Sequence, residues 1–127
     1  MSVPDSVLAA MRETNELFNA RVVRDHDMQA LDQVYTSDAH VLPPGAPMVE
    51  GREAIKQFWQ QAIAGMKIKE AKLETVFADE CGDRVLEIGR ADLTLDGNQR
   101  VAIKYVVYWK QEQGRWKWHV DIWNPNQ

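Results

Sequence analysis

At 127 residues, with 45% hydrophobic and 27% charged side chains, the chain is sized for one globular domain around one core. Its net charge of −4, with basic residues scattered among acids, excludes nucleic acid as the main partner, because phosphate binding needs a clustered basic surface. No apolar stretch approaches the ~20 residues of a membrane span, no signal-like start is present, and the lone Cys81 fits a reducing, cytoplasmic setting.

Val7, Leu8, Met11, Phe18 and Val22 recur at helical spacing and predict an amphipathic helix over residues 4–24. Asp27 is a candidate cap for a shorter helix carrying Met28, Leu31, Val34 and Tyr35. Residues 38–42 read as a short strand, ended by Pro43-Pro44-Gly45 and Pro47. A third helix is predicted over 52–65, with Ile55, Phe58, Trp59, Ala62, Ile63 and Met66 on a broad apolar face. From there the period changes to two. Residues 67–78, 84–95, 99–110 and 115–123 predict four strands, turning at Gly82, Asp96-Gly97-Asn98 and Gln113-Gly114. Helices followed by an antiparallel meander is an α+β pattern, read as a single domain over 1–127.

The turns assign the sheet faces, because opposed residues on antiparallel strands share a face. An Asp96-Gly97-Asn98 loop sets Leu93 against Val101, Ala91 against Ile103 and Arg90 against Lys104. A Glu112-Gln113 tip sets Trp109 against Trp116, Val107 against Trp118 and Lys104 against Asp121. One face is then apolar and aromatic, with Tyr105, Val107, Trp109, Trp116 and Trp118. The other is mixed, with Arg90, Asp92, Lys104, Tyr108, His119, Asp121 and Trp123. Three helices can cover only one of them, so the other predicts a partner.

Tyr35-Thr36-Ser37-Asp38-Ala39-His40-Val41, the helix start Gly51-Arg52-Glu53-Ala54-Ile55 followed by Phe58-Trp59, and the closing Asp121-Ile122-Trp123-Asn124 carry a family likeness. The chain resembles the SnoaL-like, ketosteroid-isomerase-like superfamily (the nuclear transport factor two-like fold) over nearly its whole length. Its closing tetrapeptide resembles the SgcJ/EcaC-type branch and the calmodulin-dependent kinase association domain. The resemblance implies a cone: a curved sheet whose concave face packs on the helices around a pocket, in a homodimer. It places the mixed face inside and the Trp116/Trp118 face outside, against a second copy. The family's isomerase chemistry does not carry over. Pro43 stands where the carboxylate base belongs, Val106 where the oxyanion acid belongs, and Phe18 or Asn19 near the tyrosine position.

The candidate site is therefore His119 and Asp121 as catalytic groups, with Arg90, Asp92, Lys104, Tyr108, Trp123 and Trp59 around a ligand. His119 titrates nearest neutrality among ordinary side chains, and Arg90 and Lys104 suit an acceptor oxygen. The same Arg90, Asp92, Lys104 and Asp121 also balance as a closed ion-pair network that needs no ligand. Trp59 at helical spacing reads first as a core residue, Arg52 as a structural clamp, and Asp38 as a strand-start cap. The three histidines share no metal-ligand spacing, and no glycine-rich phosphate loop is present, so no metal and no cofactor are expected. Three functions stay open: a pocket for a partly apolar organic molecule, an acid–base enzyme of isomerase, cyclase or hydratase type, and a pure homodimerisation module.

Overall fold

A computed structural model describes residues 2–126; Met1 and Gln127 lie outside the described residues. Helix α1 (Asp5–Leu17) begins where the Pro4 carbonyl accepts the N–H groups of Val7 and Leu8 at 3.0 Å. It buries Met11, Thr14 and Asn15. The expected single helix over 4–24 changes pitch at its end. Phe18–Arg24 is a π-helical segment, and the Asp25 N–H reaches back five residues to the Ala20 carbonyl. That wider turn brings Phe18, Val22 and Val23 to the buried side together.

Asp27 makes no side-chain cap; its carboxylate accepts Arg21 at 2.6 Å instead. A 3-10 turn (Met28–Ala30) leads into the single turn α2 (Leu31–Val34), and the chain is already extended at Tyr35. Strand β1 (Tyr35–Leu42) and the short β2 (Val49–Glu50) flank the proline loop. Gly51, at φ 88°, starts α3 (Arg52–Met66) and donates its N–H to the Ala39 carbonyl, tying helix to sheet. Ile55, Trp59 and Ile63, four residues apart, form its buried stripe.

Strands β3 (Ile68–Cys81), β4 (Arg84–Leu95), β5 (Arg100–Glu112) and β6 (Arg115–Pro125) follow as an antiparallel meander, as the period-two pattern predicts. The sheet order is β2-β1-β6-β5-β4-β3, and β1 joins β6 in parallel, so the six-stranded curved sheet is mixed. The three helices lie on one face of it, an α+β cone. No helix among the described residues is long and apolar enough to cross a membrane.

Two features of β6 correct the expected register, and the second corrects the faces. First, its hairpin turn is Gln113-Gly114, both at positive φ, with Glu112 opposite Arg115, one position beyond the expected tip. Second, the register shifts between Tyr108 and Trp109: Trp109 faces Trp118, yet Tyr108 faces Val120, which leaves His119 as the extra residue of a bulge. One inserted residue reverses the inside–outside alternation beyond it. Asp121 now opposes Val107 and Trp123 opposes Tyr105, so both join the apolar face.

That apolar face is the inner one. Tyr105, Val107, Trp109 and Trp118 are buried, and Trp116 packs against the core. The expected placement of Trp116 and Trp118 on the outside of the cone is corrected, because the helices of the same chain cover this face. The outer face carries Arg90, Asp92, Lys104, Tyr108 and, directly opposed across four strands, the row Phe77, Ile88, Val106 and Ile122.

Candidate functional site

Between the helices and the inner face lies a cavity of about 280 Å³. Phe18 reaches it from the π-helical segment, Phe58 and Trp59 from α3, and Tyr105, Trp118 and Trp123 from the sheet. Trp59 and Trp123 stack at 5.2 Å between ring centroids and 19° between planes, and Phe58 meets the Trp59 ring edge-on at 5.1 Å. No Lys, Arg or His lines the cavity among the described residues. Its ionisable lining groups are Asp121 and Tyr105.

Asp121 is aimed inward by the bulge at His119, and 5% of it is accessible. The Tyr35 hydroxyl donates to its Oδ2 at 2.5 Å, and Trp59 Nε1–H donates to the Tyr35 oxygen at 3.0 Å. The parallel β1–β6 pairing makes this relay possible, since it sets the start of β1 beside β6. Oδ1 has no hydrogen-bond partner among the described residues. Burial pushes the Asp121 carboxyl up to about 7; the Tyr35 hydrogen bond pulls it down, and the charge of Glu87 pushes it up again. Tyr35 itself is held well above its ordinary range by burial and by Asp121, so it stays a neutral donor.

Glu87 is the second inner carboxylate, and sequence reasoning missed it. It opposes Val107, which opposes Asp121, so the three form one cross-strand row. Fully buried, Glu87 accepts three hydrogen bonds: Thr75 Oγ1 at 2.6 Å, Tyr105 Oη at 2.9 Å and Trp109 Nε1 at 2.8 Å. Burial first, then the Glu87 charge, push the Tyr105 hydroxyl up. The available signal was a charged residue at a core position of β4, in the alternation Val85, Glu87, Gly89, Ala91.

Of the expected site residues, Asp121, Trp123 and Trp59 come together at the cavity, and five do not. Arg90 is exposed and pairs with Glu74 at 2.8 Å. Lys104 donates to the Pro125 carbonyl at 3.0 Å, Asp92 is exposed, and the Tyr108 ring lies under Arg84 at 5.6 Å. The closed network of Arg90, Asp92, Lys104 and Asp121 therefore does not assemble, because the bulge sends Asp121 to the other face, while Arg90 and Lys104 stay opposed as expected but on the outer face, away from the cavity. His119, the bulged residue, turns away from the cavity. Its Nδ1 lies 2.7 Å from Thr36 Oγ1 and 3.7 Å from Asp38. Both partners meet the same ring nitrogen, so no hydroxyl–imidazole–carboxylate relay forms. Burial lowers its pKa. Arg52 is the clamp its position suggests: it donates to the Tyr35 carbonyl and to Glu112, each at 2.9 Å. No three His, Cys, Asp or Glu side chains among the described residues are grouped to hold a metal ion.

A curved sheet closed by three helices over an apolar cavity, with one titratable carboxylate on its wall, defines an α+β cone domain. Residues 15–119 match the model of the SnoaL-like domain, and the chain belongs to that family. No curated protein matches it. A solved structure of unknown function from Nostoc punctiforme, with a cystatin-like fold, is 11% identical over 99% of this chain and 96% of its own, with a TM-score of 0.84. A hexachlorocyclohexane dehydrochlorinase, LinA type 2, is 18% identical over 96% of this chain and 86% of its own, with a TM-score of 0.72. An NTF2-like protein of unknown function from Pseudomonas putida is 18% identical over 97% and 89%, with a TM-score of 0.74. At these identities the likeness is one of fold.

Proposed function

We propose that this chain is a small-molecule pocket protein that binds a partly apolar organic ligand in the cone, with Asp121 engaging its polar atom. The carrying observation is the free Oδ1 of Asp121 on the wall of an aromatic cavity. An ionised carboxylate with an unfilled acceptor costs stability in an apolar interior, and a ligand donor offsets that cost. A domain serving only to dimerise gains nothing from such a group, which counts against the pure association module. The test is a thermal-shift and cocrystal screen of bicyclic organic probes against wild type and Asp121→Asn. The reading expects probes that stabilise wild type and lie against Trp59 and Trp123. A ligand bound on the Arg90/Lys104 face instead would overturn it.

A second reading is acid–base catalysis by Asp121, favoured by its pKa of about 7, where acid and base forms are both populated near neutral pH. His119 is not its proton carrier, since it points to Thr36 and Asp38. Turnover by Asp121→Asn at the wild-type rate would remove this reading.

For assembly we infer a homodimer through the outer sheet face. Phe77 is 52% exposed, Ile88 43%, and Val106 and Ile122 36% each, in one row across four strands. Such a stripe favours burial against a second copy.

A further inference from the structure

We propose that the cavity binds the protonated form of a lipophilic amine, its cationic nitrogen held between Asp121 Oδ1 and the faces of the surrounding aromatic rings. The inference rests on the pocket reading above.

Three observations carry it. The first is a charge imbalance. Asp121 and Glu87 sit in one row of the inner face, separated by Val107, and no cationic side chain lines the cavity among the described residues. The buried Lys117 is spent elsewhere, on the Asp32 carbonyl at 2.9 Å and Glu112 at 3.1 Å. The field inside the cone is therefore negative. An anionic ligand is repelled, and a cation is drawn in.

The second is donor supply. The polar hydrogens around Asp121 and Glu87 are committed: Trp59 to Tyr35, Tyr35 to Asp121, and Tyr105 and Trp109 to Glu87. A ligand whose polar atom is an acceptor, such as a ketone, finds no free donor beside Asp121 unless that carboxyl is protonated; the uncommitted lining donor among the described residues is the Trp123 indole N–H. A ligand that brings its own N–H donors finds Oδ1 vacant.

The third is the wall itself. Trp59, Trp123 and Phe58 form a contiguous aromatic cluster, and Phe18 and Trp118 extend the lining. Aromatic faces attract a desolvated cation through their quadrupoles, while their area accepts an apolar body. A carboxylate set among rings matches both ends of a hydrophobic ammonium ion. The raised Asp121 pKa agrees, since burial and Glu87 disfavour its charge and a bound cation relieves both.

Three probes sharing one bicyclic skeleton test this: 2-aminotetralin, 2-tetralone and 1,2,3,4-tetrahydro-2-naphthoic acid, titrated calorimetrically at pH 6 and pH 8.5. The amine keeps its proton over this range, so it must displace a proton from Asp121 at pH 6 but not at pH 8.5. With a titration near 7, its affinity should rise roughly tenfold between the two. At pH 8.5 it should bind at least tenfold tighter than the ketone, and the acid weakest of all. In Asp121→Asn the preference for amine over ketone should vanish. The pH dependence of wild type decides the matter even if that variant folds poorly. A ketone that binds tighter than the amine, or gains affinity at pH 6, overturns the amine proposal and leaves the pocket reading standing. Failure of all three probes to bind at millimolar concentration overturns both.

Discussion

Tyr105 lies directly over Gly89, its cross-strand neighbour, so closely that a Cβ at residue 89 would stand 2.2 Å from Tyr105 Cζ. Only glycine leaves room for that ring, and the position delivers the Tyr105 hydroxyl to Glu87. Gly89→Ala is therefore expected to displace Tyr105 and strip one donor from a buried carboxylate. Overpacking and the lost hydrogen bond together should cost about 3 kcal/mol. Tyr105→Phe alone should cost about 1–2 kcal/mol. The double variant should cost less than the sum, since the alanine has already broken the bond. Urea denaturation of the four proteins checks this, and simple additivity would separate Gly89 from the Glu87 cluster.

Asp121 predicts an unusual pH dependence. Its folded-state pKa of about 7 lies above the ordinary 3.8, so the protonated form favours the folded state. Its stabilising contribution is complete below pH 4, declines as pH rises through 4 to 7, and is gone above that. The full decline is on the order of 4 kcal/mol for a shift of that size. Asp121→Asn keeps an acceptor for Tyr35 and cannot ionise, so it should unfold at a higher temperature than wild type at pH 8. A less stable variant at pH 8 would contradict the assignment.

Tyr35→Phe acts in the opposite direction on the same carboxyl. The Tyr35 hydroxyl holds the Asp121 pKa down, so removing it should move the titration midpoint above 7. Carboxyl-carbon NMR of Asp121 in both proteins reads the shift, and a midpoint that falls would show the hydrogen bond to be misassigned.

Glu112 anchors the β5–β6 hairpin to the start of α3. Burial pushes its carboxyl up, but the Ser37 backbone N–H and hydroxyl and the Lys117 ammonium outweigh that and hold it at about 2. Its stabilising contribution is present above pH 4.5 and lost as pH falls through 2. Lys117 is 4% exposed, so Lys117→Met leaves Glu112 short of its buried partner and should cost on the order of 3 kcal/mol. Melting curves at pH 7 measure the cost; a loss below 1 kcal/mol would mean that Arg52 suffices.

Val106→Glu with Ile122→Glu places charge in the outer-face row without touching the core, because both side chains are partly exposed. Wild type is expected to sediment as a dimer at tens of micromolar and the double variant as a folded monomer. A monomeric wild type would end the dimer reading.

Local sequence determined most of the elements and one hairpin. The helical stripe from Ile55 to Ile63 and the period-two strands are set by nearest-neighbour chemistry, and the Asp96-Gly97-Asn98 loop fixed Leu93 opposite Val101 as expected. The site was only partly legible. Asp121, Trp123 and Trp59 could be named as candidates, but Arg90, Lys104 and His119 were grouped with them on the assumption of unbroken alternation. A single extra residue at His119 reverses that alternation, and no side chain near it announces a bulge, although β5 and β6 are joined by a two-residue turn. Which sheet face the helices cover is non-local. Both faces carry apolar residues, and the choice falls to the one holding Trp109 and Trp118, whose burial removes the larger apolar area from water. The Tyr35–Asp121 bond joins residues 86 apart and exists because β1 pairs in parallel with β6. The residues were in the sequence; their meeting was decided by that long-range pairing.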